Sequence, residues 1–264
     1  MGGTRLVQRW GGWLWTAAAG VLVWRALGLW FPHSAGSDPE LVRRLAALMG
    51  LWFMAWGLWG FRAAGDVPSL LFAGYGITSG MHWGGPVGLG SPSAQNLLLA
   101  LYVVVSSVLT QSLFLHLALA FPPAYGRSGR RAGLLAVYLP VLAATLLLAV
   151  LAVRPSSQGL LRYFYVFLPI AVLYSLVGGG VWIHRLVTAD PTSRRSRRLP
   201  LVVGAMVLAW LPHAVASASV DAGSLLAGLL NLPFALVPPA LAWALARPRR
   251  AAASPDPAGS PGAA

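Results

Sequence analysis

Stretches of roughly twenty apolar residues, separated by short polar or Pro/Gly-rich joints, recur along this chain from end to end, and roughly twenty helical residues cross about 30 Å of hydrocarbon. That pattern limits the fold more than any motif does. Inside a bilayer every backbone N–H and C=O must be satisfied by the chain itself, which leaves helices or closed barrels. The runs are rich in Leu, Ala and Val and lack the strict alternation of barrel strands, so helices are predicted. A water-soluble alternative fails on composition. Of the 264 residues 57% are hydrophobic and 9% charged, against about 25% charged in a soluble domain, too few to build a polar skin.

Eight spans are predicted: 10–31, 41–61, 67–83, 95–121, 133–153, 160–184, 199–219 and 223–246. The expected fold class is therefore all-α, a polytopic transmembrane helical bundle over residues 1–250, with 251–264 a small, Pro-rich, disordered cytoplasmic tail. The third span is the weakest. It is short, follows Asp66-Val67-Pro68 and contains Gly74, Gly76 and Gly80, so a re-entrant segment and a seven-span chain are the rival reading.

Arginine decides between the two. There is no Lys, and with eight spans fourteen Arg fall on one side: Arg5, Arg9, Arg62, Arg127, Arg130, Arg131, Arg185, Arg194, Arg195, Arg197, Arg198, Arg247, Arg249 and Arg250. The other side holds Arg43, Arg44, Arg154 and Arg162, and Arg25 lies within the first span, where it can snorkel or pair with Asp38, Glu40 or Asp221. The positive-inside rule then places both termini in the cytoplasm and the chain in an inner, cytoplasmic membrane. The net charge of +13 needs no nucleic acid; the basic loops belong to topology and lipid contact, or to a docking protein at Arg194-Arg195-Ser196-Arg197-Arg198. The first apolar run is too long for a cleaved signal and reads as an anchor. With no cysteine, disulfides and thiolate metal sites are excluded.

Side chains able to do chemistry are few. None of the six acidic residues lies mid-span, which argues against proton-coupled transport through membrane carboxylates. Gly76-Ile77-Thr78-Ser79-Gly80 has the wrong spacing for an intramembrane serine protease motif, and no enzyme activity and no cofactor are expected. The histidines fall at two levels, His33, His82 and His213 outside and His116 and His184 inside, which leaves a haem or metal electron carrier as the third reading. Trp52, Trp56 and Trp59 share one face of the second span as a packing or lipid-facing stripe.

The fourth span is unusually polar for lipid, with Ser106, Ser107, Thr110, Gln111, Ser112 and His116 on more than one face. Two readings stay open. These groups hold helices together, with His116 bonded to Ser112 or to a neighbouring helix, or they wall a ligand pocket. The candidate pocket residues are Gln111, Ser112, His116, His213 and Asn231, shaped by Pro169, Pro212, Pro233 and Pro238.

The second half of the chain also carries short motifs in a recognisable order. Phe114-Leu115-His116-Leu117-Ala118-Leu119-Ala120-Phe121-Pro122 closes a span, a basic loop follows, and Tyr138-Leu139-Pro140 comes next. Ala189-Asp190-Pro191-Thr192, the Arg cluster, Leu211-Pro212 and the run from Pro233 through Pro238-Pro239 to Ala246-Arg247 complete it. This order, over about residues 95–250, resembles the multi-span sensory membrane region of many bacterial sensor histidine kinases. In those kinases signalling and kinase domains follow the last span; the sequence here has no phospho-acceptor helix and no ATP-binding Gly-rich box. The resemblance therefore implies an input module without catalysis, paired with a membrane-associated kinase or other signalling protein. A transporter-like or ligand-binding membrane protein is the second reading.

Overall fold

The computed structural model describes residues 9–22, 40–82, 108–121, 130–153, 157–188, 196–219 and 225–246. Regular structure among the described residues is entirely helical. Helix α1 covers 9–22, α2 Glu40–Ala64, α3 Val67–His82, α4 Thr110–Ala120, α5 Arg130–Val153, α6 Ser157–Thr188, α7 Leu199–Ser219, α8 Leu225–Leu230 and α9 Val237–Leu245. Short 3₁₀ turns at Ser196–Arg198 and Leu232–Leu236 precede α7 and α9. Each expected span contains a described helix. Arg25, Ser106, Ser107, Asp221 and the tail lie outside the described residues.

The doubtful third segment is a full 16-residue helix folded back on α2. Its turn is built locally. Gly65 has φ of 63°, a left-handed conformation that glycine adopts without strain, and its N–H donates to Phe61 O at 2.8 Å, closing α2. Asp66 and Ser69 then cap α3 reciprocally: Ser69 N–H donates to Asp66 Oδ1 at 3.1 Å, and Asp66 N–H donates to Ser69 Oγ at 2.9 Å. Beyond the turn the two helices touch backbone to backbone. A Cβ placed on Gly76 would sit 2.5 Å from Phe53 O and 3.2 Å from Gly57 Cα, so only glycine fits there. Small residues let two helix backbones approach this closely. Helix α1 leans on this hairpin through Ala18 and Val21, which pack with Met54, Leu58 and Ile77.

Helix α4 packs among α3, α5 and α6. Its contacts with α6 advance in the same direction along both helices, from Gln111–Ser175 through Phe114–Gly178 to Leu119–Arg185, so the pair runs parallel. Helices α2 and α9 are also parallel, because Trp52 meets Ala235 and Gly60 faces Ala242. Helix α7 opposes α9: Arg198 reaches Trp243 O and Ala246 O, and the Trp210 and Phe234 rings lie 5.9 Å apart. The C-termini of α2 and α9 thus share one end with the N-termini of α3 and α7, and residues 189–195 join that end of α7 to α6. The main core, with Phe53, Phe72, Leu117, Phe121, Trp182, Leu199 and Leu241, runs between α2, α3, α4, α6, α7 and α9.

The eighth expected span is not one continuous helix. It breaks at Asn231, passes through Leu232–Leu236 as 3₁₀ turn and resumes at Val237. Pro233 accounts for the break at Asn231, and Pro238 and Pro239 for the 3₁₀ turn before α9, since none of the three can donate a backbone hydrogen bond. Ala235 O, whose helical donor would be the nitrogen of Pro239, accepts the Trp52 indole N–H at 2.9 Å instead.

Candidate functional site

The polar side chains of α4 are the best candidate, because Gln111, Ser112 and His116 fall within six consecutive residues and two of them meet polar partners on neighbouring helices. At its start Val108 and Leu109 are π-helical, a local widening found often at functional sites. Gln111 turns toward α6, where Ser175 Oγ donates to its Oε1 at 2.6 Å; the same hydroxyl lies 3.0 Å from Ala171 O. His116 turns toward α5, its Nδ1 2.8 Å from Tyr138 Oη, with the two rings edge to face at 5.6 Å. The expected bond from His116 back to Ser112 is absent, and the interhelical alternative is the one formed. Tyr174 Oη on α6 donates to Ala136 O on α5 at 2.6 Å, so each pair of these three helices is tied by a polar contact.

Ser112 is fully buried, and its hydroxyl has no hydrogen-bond partner among the described residues. The same holds for the Thr110 hydroxyl and the Trp182 indole N–H. Ser112 lies between Gln111 and His116 in sequence and about 40° around the helix from His116, one turn away. A buried hydroxyl without a partner costs about 1–3 kcal/mol, so Thr110 and Ser112 mark the stretch of α4 where a further hydrogen-bonding group would be favourable.

Of the five candidate residues, four have side chains among the described residues: Gln111, Ser112, His116 and Asn231. Gln111, Ser112 and His116 share α4, whereas Asn231 sits at the break before α9, on the segment that packs against α7 and α2. The side chain of His213, in the second half of α7, lies outside the described residues. Among the described residues no three His, Cys, Asp or Glu side chains are grouped to hold a metal.

The sequence reading missed three partners: Ser175 and Tyr138, which meet the α4 polar groups, and the carbonyl that Trp52 satisfies. The Pro238-Pro239 pair was the one visible signal, because it announces unpaired carbonyls on the preceding turn. Trp52, Trp56 and Trp59 do form a continuous edge-to-face ladder, with centroids 5.5 and 5.3 Å apart. No family model, curated protein or solved structure matches the chain. Its functional reading therefore rests on these side chains and on the surfaces around them.

Proposed function

We propose that this chain is an eight-pass helical protein of a bacterial inner membrane, with both termini in the cytoplasm, acting as a sensory or regulatory input module without catalysis of its own. The observation that carries the membrane reading is the outer face of α5 and α6. Leu135, Leu139, Leu142 and Leu146 recur at i, i+4, i+7 and i+11 of α5, and all are exposed, Leu135 at 72%. On α6 Val172, Leu176, Ile183 and Val187 are exposed as well, Val187 at 79%. In water that face of an amphipathic helix is polar, and a continuous apolar surface of this kind belongs against lipid. Two stretches, Arg44–Ala64 and Pro169–Thr188, are individually long and apolar enough to cross a bilayer; Thr110–Ala120, Leu135–Leu146, Leu199–Pro212 and Leu232–Leu245 are shorter apolar helices.

The sensory part is supported by how α4, α5 and α6 are held. One hydrogen bond ties α4 to α5, one ties α5 to α6 and two tie α4 to α6, and Pro140 and Pro169 interrupt the backbone ladders of α5 and α6. Interhelical bonds in membranes contribute about 0.6 kcal/mol each, small enough for a ligand or partner to shift one arrangement to another. A partner kinase or other signalling protein would read that shift. The broken last span favours a second reading, a ligand carrier, since interrupted membrane helices line the sites of many transporters.

Topology is tested by reporter fusions after Ala64, Gly90 and Arg198. The first and third are expected to report cytoplasm and the second the outside; a cytoplasmic signal at Gly90 removes the third span. Function is tested by affinity purification from native membranes with gentle detergent. Co-purification of a kinase-bearing protein supports the input module, whereas solute uptake by vesicles holding this chain alone supports the carrier.

A further inference from the structure

We propose that the junction of α7 and α9 seats one anionic phospholipid of the arginine-rich leaflet, a site that rests on the membrane reading above. Arg198, in the 3₁₀ turn before α7, lies with its guanidinium 4.2 Å from the centre of the Trp243 ring. Its Nη1 donates to Trp243 O and, at 2.9 Å, to Ala246 O, the last carbonyls of α9. A helix C-terminus carries partial negative charge and favours a cation there, and the stacked ring fixes the plane of the fork. The guanidinium is thus held at the end of the bundle in one orientation before any ligand arrives. Arg197 is beside it and exposed.

The surface leading away from these two cations is apolar. Trp243 is 49% exposed, an indole at the polar end of a helix as in the aromatic belts of membrane proteins. Leu232 and Leu236, before it in the chain, are exposed. On α7 Leu201, Leu208 and Leu211 are exposed, and the ten helical steps from Leu201 to Leu211 rise about 15 Å, half of the roughly 30 Å hydrocarbon core. The track is therefore one leaflet deep. A phosphodiester headgroup meets the Arg197 and Arg198 forks, the glycerol region meets the Trp243 edge, and the acyl chains lie on the leucines. Two adjacent cations select a headgroup of net negative charge over a zwitterionic one, whose own ammonium opposes them. Each arginine near an anionic surface contributes about fivefold in affinity.

The test uses the full chain in bilayer nanodiscs of phosphatidylcholine with increasing phosphatidylglycerol, and native mass spectrometry of retained lipid. The wild type is expected to retain phosphatidylglycerol over phosphatidylcholine. Arg197→Gln should lower that preference about fivefold. Arg198→Lys, which keeps the charge but loses the fork, should lower it less, and Arg44→Gln, at the start of α2, should leave it unchanged. Because Arg198 also caps α9, each variant is first checked for the helical circular dichroism and elution volume of the wild type, and Arg197→Gln carries the result if Arg198→Lys misfolds. Equal retention of the two lipids by the wild type, or an undiminished preference in Arg197→Gln, overturns the site. Displacement of phosphatidylglycerol by millimolar inorganic phosphate overturns it as a lipid site and leaves an anion site only. Failure to float with vesicles of either composition would overturn the membrane reading itself, so the two failures are distinguishable.

Discussion

Replacing Gly76 by alanine adds one methyl group where α3 crosses α2. The added carbon would meet Phe53 O at 2.5 Å and Gly57 Cα at 3.2 Å, and both are backbone atoms that no rotamer change can move. An ordinary carbon–oxygen contact is about 3.3 Å, so the helices must separate by roughly 0.8 Å at the crossing. A gap of that size forfeits a quarter to a half of the dispersion well for each contact it opens, and forced overpacking of a well-packed interior costs about 1–3 kcal/mol. Alanine also favours helix over glycine by up to about 1 kcal/mol, which offsets part of the loss. Gly179→Ala isolates that offset, because a Cβ there meets nothing within 4 Å. Reversible unfolding in mixed SDS–detergent micelles, followed by the fluorescence of the twelve tryptophans, measures both variants. The expected order is Gly179→Ala at or above wild type, then Gly76→Ala lower by about 1–3 kcal/mol, then Gly76→Val lower still. Equal stability of Gly76→Ala and Gly179→Ala would refute the argument that backbone contact sets the α2–α3 spacing.

Trp52→Phe keeps an aromatic ring beside Trp56 but removes the donor to Ala235 O; a loss of about 1–3 kcal/mol in the same unfolding assay is expected, and no loss would mean the carbonyl is satisfied otherwise. A double-mutant cycle of Gln111→Leu and Ser175→Ala should give a coupling of about 0.6 kcal/mol, with zero coupling excluding the bond as a link between α4 and α6. Asp66→Ala should cost about 1 kcal/mol and raise hydrogen exchange at the Ser69 and Leu70 amides; unchanged exchange there would show that the cap does not hold the start of α3.

The positions of the helices were legible because helix hydrogen bonds are local. A long apolar run between polar joints satisfies its own backbone wherever it packs, so run length and joint composition suffice to place it. Gly65-Asp66 illustrates the point: a left-handed glycine followed by a capping acid needs nothing from the rest of the chain. The polarity of α4 was equally plain from Thr110 to His116. What those polar groups bond to was not. Gln111 meets Ser175 64 positions away, and His116 takes Tyr138 in preference to the nearer Ser112. Those choices depend on the rotation and register of one helix against another, and uniform surfaces of Leu, Ala and Val fix neither.

Tertiary structure likewise decided the third and eighth segments. The glycines that made the third look weak as a helix, Gly76 above all, are what let it lie against α2, a property of the pair that neither helix shows alone. In the eighth, the prolines announced a loss of donors, but only the approach of α2 brings the Trp52 indole to the orphaned Ala235 carbonyl and lets the break persist without cost to that group. Backbone satisfaction within a helix is written in consecutive residues; satisfaction between helices depends on distances that the chain acquires only when it packs.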